Sequence, residues 1–479
     1  MADIRIDHAT VVTMDGTRRV LEDGAVAMEG DRILAVGPTE TMAKDHPAHT
    51  VIDGTGMAAL PGLIDVHAHA GHGLIKTMGG GNGEAWYEAC KTVYTVASDP
   101  EFWRAEAALA GLERLKAGVT TGVSLLGGGD SVMRTDRREH GDAHLDAVAA
   151  LGIRVHMAIG PTRPPFPWTY AAWAGGEHST YSVTFEEQIE TCQALIRSRH
   201  GSKGQRLNIA MLSPTLRREH LEGASSEMLT LLIDQARAAS AVAREHGLVF
   251  TQDGHKAGTV TFADEALGIL GPEALLSHAT DFSDEEIAIC ADKGVKIAHN
   301  PSAVASIMGR CRVVEMLDAG VVVGLGSDGT APDRSGDMFR HMQQCMHYHR
   351  RHFRDASILP PGKVLEMATI DAARALSMED SIGSLEVGKK ADLILVDLKK
   401  PHLYPPNMPL YRIVCFANGA DVDTTIVDGE ILMQGRKALS VDEDTVLEDA
   451  ARATTTMLER TGFANLLETP ETFFGATRY

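Results

Sequence analysis

Short apolar runs alternate with longer amphipathic stretches between residues 59 and 385. The apolar runs predict buried strands at residues 119–126, 153–159, 207–212, 248–251, 274–277, 295–298 and 321–326. The amphipathic stretches predict helices, the clearest of which cover residues 100–117, 185–199 and 226–246. Strands and helices that alternate over ~250 residues are typical of a parallel (β/α)8 barrel. The pattern therefore predicts an α/β fold with a TIM-like barrel over residues 59–385.

Both ends of the chain carry short strand-like runs separated by turn residues. Residues 1–58 contain such runs at 4–7, 10–14, 24–28, 32–37 and 51–53, and residues 386–440 contain them at 393–396, 413–416, 424–427 and 431–433. Short runs separated by Asp-Gly, Glu-Gly and Gly-Thr-Gly are typical of an all-β segment. We predict that the two ends form one composite β-sandwich. Residues 441–479 are predicted to form a helix, over 442–460, and a tail.

Composition and charge limit the class of partner. The chain has 479 residues, is 44% hydrophobic and carries a formal charge of −20, which disfavours nucleic acid and anionic membrane surfaces. No apolar run approaches the ~18 residues of a membrane span, and the first residues lack the apolar core of a signal peptide. The six cysteines are scattered, with no Cys-x-x-Cys pair, as expected of a reduced cytoplasmic protein. These features favour a small molecule as the substrate.

The most informative motif is the run from Pro61 to His69, which places two histidines two residues apart after an apolar strand. Positions i and i+2 of a strand point to the same face, so His67 and His69 can reach one ion. Further candidate groups follow at the ends of later strand-like runs: His255, His278, His299 and Asp328. Imidazoles with one carboxylate are the ligands of a catalytic Zn²⁺, and Co²⁺, Mn²⁺ and Fe²⁺ accept similar ligands. Such an ion lowers the pKa of bound water to about 7 and so supplies hydroxide.

These motifs resemble those of the amidohydrolase superfamily. The likeness extends to Gly118-Val119-Thr120-Thr121, Leu275-Leu276-Ser277-His278, Gly324-Leu325-Gly326-Ser327-Asp328-Gly329 and residues 382–393, and so covers nearly the whole chain. It implies a (β/α)8 barrel beside a composite β-sandwich, with metal-dependent hydrolysis at the carboxyl ends of the strands. It also implies that Asp328 binds the metal and moves the proton of the nucleophile to the leaving group. By the same resemblance, His278 orients water or polarises the substrate, and the chain forms a homo-oligomer. His299 is a candidate substrate contact, because residues 299–302 match the loop that shapes the substrate pocket in the family; a turn with its own capping hydrogen bonds is the other interpretation.

The fifth strand departs from the family pattern. Mononuclear deaminases of the family carry His-x-x-Glu here, whereas this chain reads Phe-Thr-Gln-Asp-Gly-His-Lys over residues 250–256. On spacing, Gln252 falls at the ligand position and His255 at the position of the glutamate. Because imidazole is a much better ligand than a neutral amide, we predict that His255 is the fourth ligand or an acid/base beside the metal. Gln252 remains the alternative ligand.

The fourth strand bears on the number of metal ions. Residues 207–213 contain no lysine, so the bridging carboxylated lysine of two-metal family members has no candidate there. The sequence therefore predicts one divalent ion per chain, with Zn²⁺ favoured.

Two reactions fit this set of residues. The first is hydrolysis of an amide, urea, carbamate or thiocarbamate, and it is favoured because the deaminase glutamate is absent; the fifth strand is similar to bacterial hydrolases of molinate and phenylurea herbicides. The alternative is hydrolytic deamination or dechlorination of a pyrimidine, purine or triazine. Trp168, in an aromatic loop after the third strand, is a candidate substrate contact, with packing of its own loop as the other interpretation. A non-catalytic ligand-binding member of the family is a third interpretation.

Overall fold

Parallel strands form the centre of the computed structural model, which describes residues 1–128, 132–174, 176–305, 309–470 and 473–475. The strands are, in chain order, β1 (Ala2–Val12), β2 (Val20–Glu29), β3 (Arg32–Pro38), β4 (Ala48–Asp53), β5 (Met57–Pro61), β6 (Leu63–Asp65), β7 (Val119–Leu125), β8 (Arg154–Ile159), β9 (Trp168–Ala174), β10 (Glu177–Val183), β11 (Leu207–Leu212), β12 (Phe250–Gln252), β13 (Ala274–Ser277), β14 (Lys296–His299), β15 (Val323–Leu325), β16 (Leu393–Asp397), β17 (Val422–Val427), β18 (Glu430–Gln434) and β19 (Lys437–Ala438). The helices are α1 (Thr39–Asp45), α2 (Gly83–Thr92), α3 (Pro100–Lys116), α4 (Arg138–Leu151), α5 (Phe185–Arg199), α6 (Ser202–Gln205), α7 (Arg218–Leu221), α8 (Ser226–His246), α9 (Thr259–Phe262), α10 (Asp284–Lys293), α11 (Pro301–Ala303), α12 (Val313–Asp318), α13 (Met338–Phe353), α14 (Pro361–Met367), α15 (Ile370–Ala375), α16 (Pro409–Phe416) and α17 (Glu443–Thr461).

Eight of these strands form a parallel barrel, in the order β6, β7, β8, β11, β12, β13, β14 and β15. The barrel closes where the backbone N–H of Val66 donates to the carbonyl of Leu325 (3.1 Å) and that of Asp328 donates to His67 (2.9 Å). Strands β7, β8 and β11 are buried along their whole length, as expected of parallel strands covered by helices. The predicted (β/α)8 barrel is confirmed.

Helices of the barrel begin and end at capping residues. The hydroxyls of Ser225 and Ser283 accept backbone N–H groups at the starts of α8 and α10. Gly247 and Gly294 end the same helices in the left-handed conformation, which glycine adopts without strain. The chain therefore returns promptly to the next strand, and every strand reaches the same end of the barrel.

The second sheet joins the two ends of the chain. Its strands follow the order β19-β18-β17-β16-β5-β1-β2-β3, with β4 also paired to β1. Strand β5 runs parallel to β1 and antiparallel to β16, so it links the N-terminal and C-terminal segments. The predicted composite sheet is confirmed. The strand predicted at residues 413–416 is wrong, because Pro409 begins helix α16 there and its buried residues Ile413 and Val414 lie on one helical face.

Buried ion pairs connect this sheet to the barrel. Arg154, at the start of β8, donates from Nη2 to Asp392 Oδ2 (3.0 Å) and Asp428 Oδ1 (2.8 Å). Arg206 and Lys390 also contact Asp428. The six cysteines are free, and none of the helices in the described ranges is long and apolar enough to cross a membrane.

Candidate metal centre at the mouth of the barrel

The carboxyl ends of four barrel strands bring five side chains together. His67 and His69 follow β6, Asp253 follows β12, His278 follows β13 and Asp328 follows β15. The Nε2 atom of His67 lies 3.3 Å from both Asp253 Oδ1 and Asp328 Oδ1. His69 Nε2 lies 3.2 Å from Asp328 Oδ1, and His278 Nε2 lies 3.1 Å from Asp253 Oδ1. The five side chains form one buried cluster, which we call the mouth cluster.

Hydrogen bonds behind the mouth cluster fix the direction of its ligand atoms. His69 Nδ1 lies 3.1 Å from the carbonyl of Gly127, to which only an N–H can donate, so Nε2 presents its lone pair to the cluster. The ring of His72 stacks on His69 with 4.7 Å between ring centroids, and its Nδ1 lies 2.8 Å from the hydroxyl of Tyr94.

Asp65 positions the turn that carries Asp328. Its Oδ1 accepts the backbone N–H of Ser327 (2.9 Å), and its Oδ2 accepts the hydroxyl of Ser327 (2.7 Å) and Nη2 of Arg114 (2.9 Å). Asp328 itself adopts a left-handed backbone with φ of 63°, and His278 does so with φ of 67°. Non-glycine residues keep such conformations only where the surroundings hold them, and they cluster at functional sites.

The electrostatics of the mouth cluster favour a bound cation. Burial lowers the pKa of His67, but the carboxylates of Asp253 and Asp328 outweigh burial and raise it to about 10. Burial likewise raises the pKa of both carboxyls, whereas the surrounding imidazoles hold it well below the usual range. Two ionised carboxylates that share one buried space repel each other unless positive charge lies between them.

A divalent metal ion fits these donors. One ligand atom each from His67, Asp253, His278 and Asp328 lies within 4.8 Å of the others. Both ring nitrogens of His67 are buried and have no hydrogen-bond partner among the described residues. Imidazole and carboxylate donors suit Zn²⁺ and similar ions. Because an ion bound here would satisfy Nε2 of His67 and the carboxylate charge together, the metal-dependent chemistry implied by the sequence has a fitting site.

Neither of the two predicted fifth-strand ligands joins the mouth cluster, and Asp253 lies there instead. Gln252 donates from its amide to the carbonyl of Pro214 (3.1 Å). His255 places Nδ1 2.9 Å from the hydroxyl of Thr259. The physical reason is register: β12 ends at Gln252, so the next residue faces the opposite side. Gly254, with φ of 78°, then turns the chain away before His255.

The two predicted substrate contacts also lie elsewhere. The ring of His299 packs on that of His349, with 5.5 Å between centroids. The indole N–H of Trp168 donates to the carbonyl of Arg163 (2.7 Å), which is packing within its own loop. One polar group that sequence reasoning missed is Arg334, whose Nη1 lies 3.5 Å from Asp328 Oδ2. No sequence pattern marks Arg334, because it lies in an irregular loop.

Comparison with known proteins agrees with this architecture. The amidohydrolase family matches residues 58–432, and a bacterial imidazolonepropionase-like composite domain matches residues 24–48. The chain belongs to the amidohydrolase family. This member is 33% identical, over 91% of its length and 95% of the relative's, to a 5-methylthioadenosine/S-adenosylhomocysteine deaminase of Desulforudis audaxviator. It is 30% identical, over 96% of its length and 99% of the relative's, to a 5'-deoxyadenosine deaminase of Methanosarcina mazei.

Solved structures share the fold. An adenosine deaminase from Xanthomonas campestris with bound zinc superposes with a TM-score of 0.80 at 21% identity, covering 96% of this chain and 99% of that one. An atrazine chlorohydrolase from Arthrobacter aurescens complexed with zinc gives a TM-score of 0.76 at 23% identity, covering 94% and 100%. The amidohydrolase likeness of the sequence is therefore confirmed, while the ligand roles of individual residues stay predictions.

Ser327→Ala tests whether the contact with Asp65 positions the metal centre. The substitution removes the hydroxyl donor but keeps the backbone N–H bond to Asp65. Loss of such a supporting contact typically lowers metal affinity about 10- to 100-fold, and we expect a decrease in this range in a competition titration against a chelator. Ser384→Ala, which removes a similarly buried hydroxyl from the connection between α15 and β16, should leave the affinity unchanged. Equal affinities for the two variants would contradict the positioning role.

Proposed function

We propose that the protein is a metal-dependent hydrolytic deaminase that acts on an aminated nitrogen heterocycle of the adenosine type. The observation that carries this proposal is the mouth cluster of three imidazoles and two carboxylates in a chain 33% identical to a nucleoside deaminase over 91% of its length. The relatives favour this alternative over the carbonyl-hydrolase interpretation of the sequence.

Asp253 removes part of the sequence argument against deamination. That argument rested on the absence of the deaminase glutamate from the fifth strand, which left no carboxylate predicted there. The structure supplies a carboxylate from this strand, within 3.3 Å of His67 Nε2 and 3.1 Å of His278 Nε2. Asp253 therefore takes the fifth-strand ligand role in this proposal, and Asp328 remains available for proton transfer.

Each residue of the mouth cluster has its own role in the proposed reaction. His67, His69 and Asp253 would hold a divalent ion, which would supply hydroxide from water near neutral pH. Asp328 is ionised, because the surrounding imidazoles and Arg334 hold its pKa well below the usual range. Its carboxylate would accept the proton of that water and later deliver it to the leaving amine. His278, which faces both carboxylates, orients the attacking oxygen. One water is consumed and one ammonia leaves, so the proton taken from water is the one that the amine requires.

A substrate panel tests the proposed reaction. We expect ammonia release, with conversion of the amine to an oxo group, from adenosine, 5'-deoxyadenosine or 5-methylthioadenosine. The matched comparison compounds are an N-aryl urea, a thiocarbamate and a chlorinated triazine, all assayed with metal-loaded protein. Cleavage of the urea or thiocarbamate, or chloride release from the triazine, without ammonia release from any aminated ring would overturn the proposal.

A further inference from the structure

A second group of metal-ligating side chains lies outside the mouth cluster. It consists of His299, at the end of β14, and of Cys345 and His349 on helix α13; we call it the Cys-His site. One ligand atom from each lies within 4.8 Å of the other two, and all three residues have no solvent exposure. The site is fully enclosed between strand and helix.

The backbone explains why these residues meet. Cys345 and His349 are four apart on α13, so they lie on the same face of the helix. His299 and Asn300 are adjacent and point to opposite sides. Asn300 Nδ2 lies 3.5 Å from Nδ1 of His278 at the mouth of the barrel, and His299 therefore faces outward to α13. The Cys-His site thus lies behind the strand end that supports the mouth cluster.

The buried nitrogens of this site have no partner. Both ring nitrogens of His299 and both of His349 lack a hydrogen bond to any described residue. A buried polar group without a partner is unfavourable, and native structures contain few of them. One ring nitrogen of each histidine lies within 4.8 Å of the Cys345 sulfur, and these unpartnered lone pairs suit a metal ion.

The protonation states suit a cation and disfavour an anion. Burial lowers the pKa of His349 to about 4 and that of His299 well below its usual value. Both imidazoles are therefore neutral near pH 7 and offer lone pairs, which is the form that binds a metal. Cys345 is a buried thiol on the same helical face, and burial raises its pKa. It would bind as the thiolate because a coordinated metal ion removes the proton of its thiol ligand.

We propose that His299, Cys345 and His349 bind a second metal ion, Zn²⁺, at a site separate from the catalytic centre. Imidazole and thiolate are typical zinc ligands, and three protein ligands with one open position form a known zinc arrangement. The ion links the end of β14 to α13 and so fixes the strand end that directly precedes Asn300. The prediction of one metal ion from the sequence then applies to the mouth cluster alone.

Cobalt substitution of the full-length protein distinguishes the two sites by their donors. The mouth cluster has imidazoles and carboxylates only, whereas the Cys-His site has a thiolate. A thiolate bound to Co²⁺ gives a charge-transfer absorption in the near ultraviolet, which imidazole and carboxylate ligands do not. We expect this absorption in the cobalt-loaded protein and two equivalents of zinc per chain by elemental analysis of the zinc-loaded protein.

Cys345→Ser should abolish the thiolate absorption and lower the zinc content from two equivalents to one. Cys290→Ser is the matched control, because Cys290 is an equally buried thiol on helix α10, and it should change neither quantity. Absorption that survives Cys345→Ser would overturn the proposal. So would the absence of thiolate absorption from the cobalt-loaded wild-type protein, a result that does not depend on the folding of any variant. These readouts do not involve activity, so the proposal stands or falls independently of the proposed deamination.

Discussion

Asp253→Asn is expected to remove the metal from the mouth cluster and, with it, the hydrolytic activity. The carboxylate lies 3.3 Å from His67 Nε2 and 3.1 Å from His278 Nε2, and asparagine has the same shape without the charge. Loss of a supporting group outside the ligand shell typically lowers metal affinity about 10- to 100-fold, so loss of a ligand should lower it by more than about 100-fold. Elemental analysis after dialysis, together with kcat/KM for ammonia release, measures both effects.

Gln252→Ala and His255→Ala are the comparison variants. Gln252 and His255 lie on either side of Asp253 in the sequence, and they are the two residues predicted from the sequence as metal ligands. Because Gln252 bonds to the carbonyl of Pro214 and His255 lies beside Thr259, both variants should keep the metal of the mouth cluster when folded. A folded His255→Ala protein that loses this metal while Asp253→Asn keeps it would contradict the assignment of Asp253.

The sequence located the barrel and most of the mouth cluster because those features have strong local signals. A His-x-His pair after an apolar strand fixes the direction of both rings by the two-residue period alone. His278 and Asp328 each follow an apolar run by one to three residues, so the ends of their strands were easily placed. These residues depend little on the exact register of a strand.

Asp253 was missed because the direction of its side chain depends on the register of the fifth barrel strand. The prediction took its register from the His-x-x-Glu spacing of the family, which places Gln252 at the ligand position, whereas β12 ends at Gln252 and Asp253 follows it. A shift of one residue moves a side chain to the opposite face, which exchanged Gln252 for Asp253. One signal was present: Asp253 stands directly before Gly254, where a turn begins, as a carboxylate at a strand end. The prediction of His299 as a substrate contact had a different weakness. Its neighbours Cys345 and His349 lie on helix α13, far along the chain, and no local pattern shows that they meet.

Asp328→Asn should lower kcat for ammonia release by about 10²- to 10⁴-fold, the usual contribution of a general acid–base group. Asparagine preserves the shape of the side chain and one oxygen donor but cannot accept the proton of water. The imidazoles of His67 and His69, together with the carboxylate of Asp253, remain to hold the metal. We therefore expect a folded variant with most of its metal and little change in KM, unlike Asp253→Asn.

Asp333→Asn serves as the matched control for this substitution. Asp333 is exposed in the loop that follows Asp328, so the variant makes the same change of charge away from the mouth cluster and should keep full activity. If Asp328→Asn instead loses metal and activity in parallel, as expected for Asp253→Asn, Asp328 acts as a ligand and the proton is carried by another group. Because the two carboxylates both lie 3.3 Å from His67 Nε2, the contrast between metal content and kcat in the two variants separates their roles.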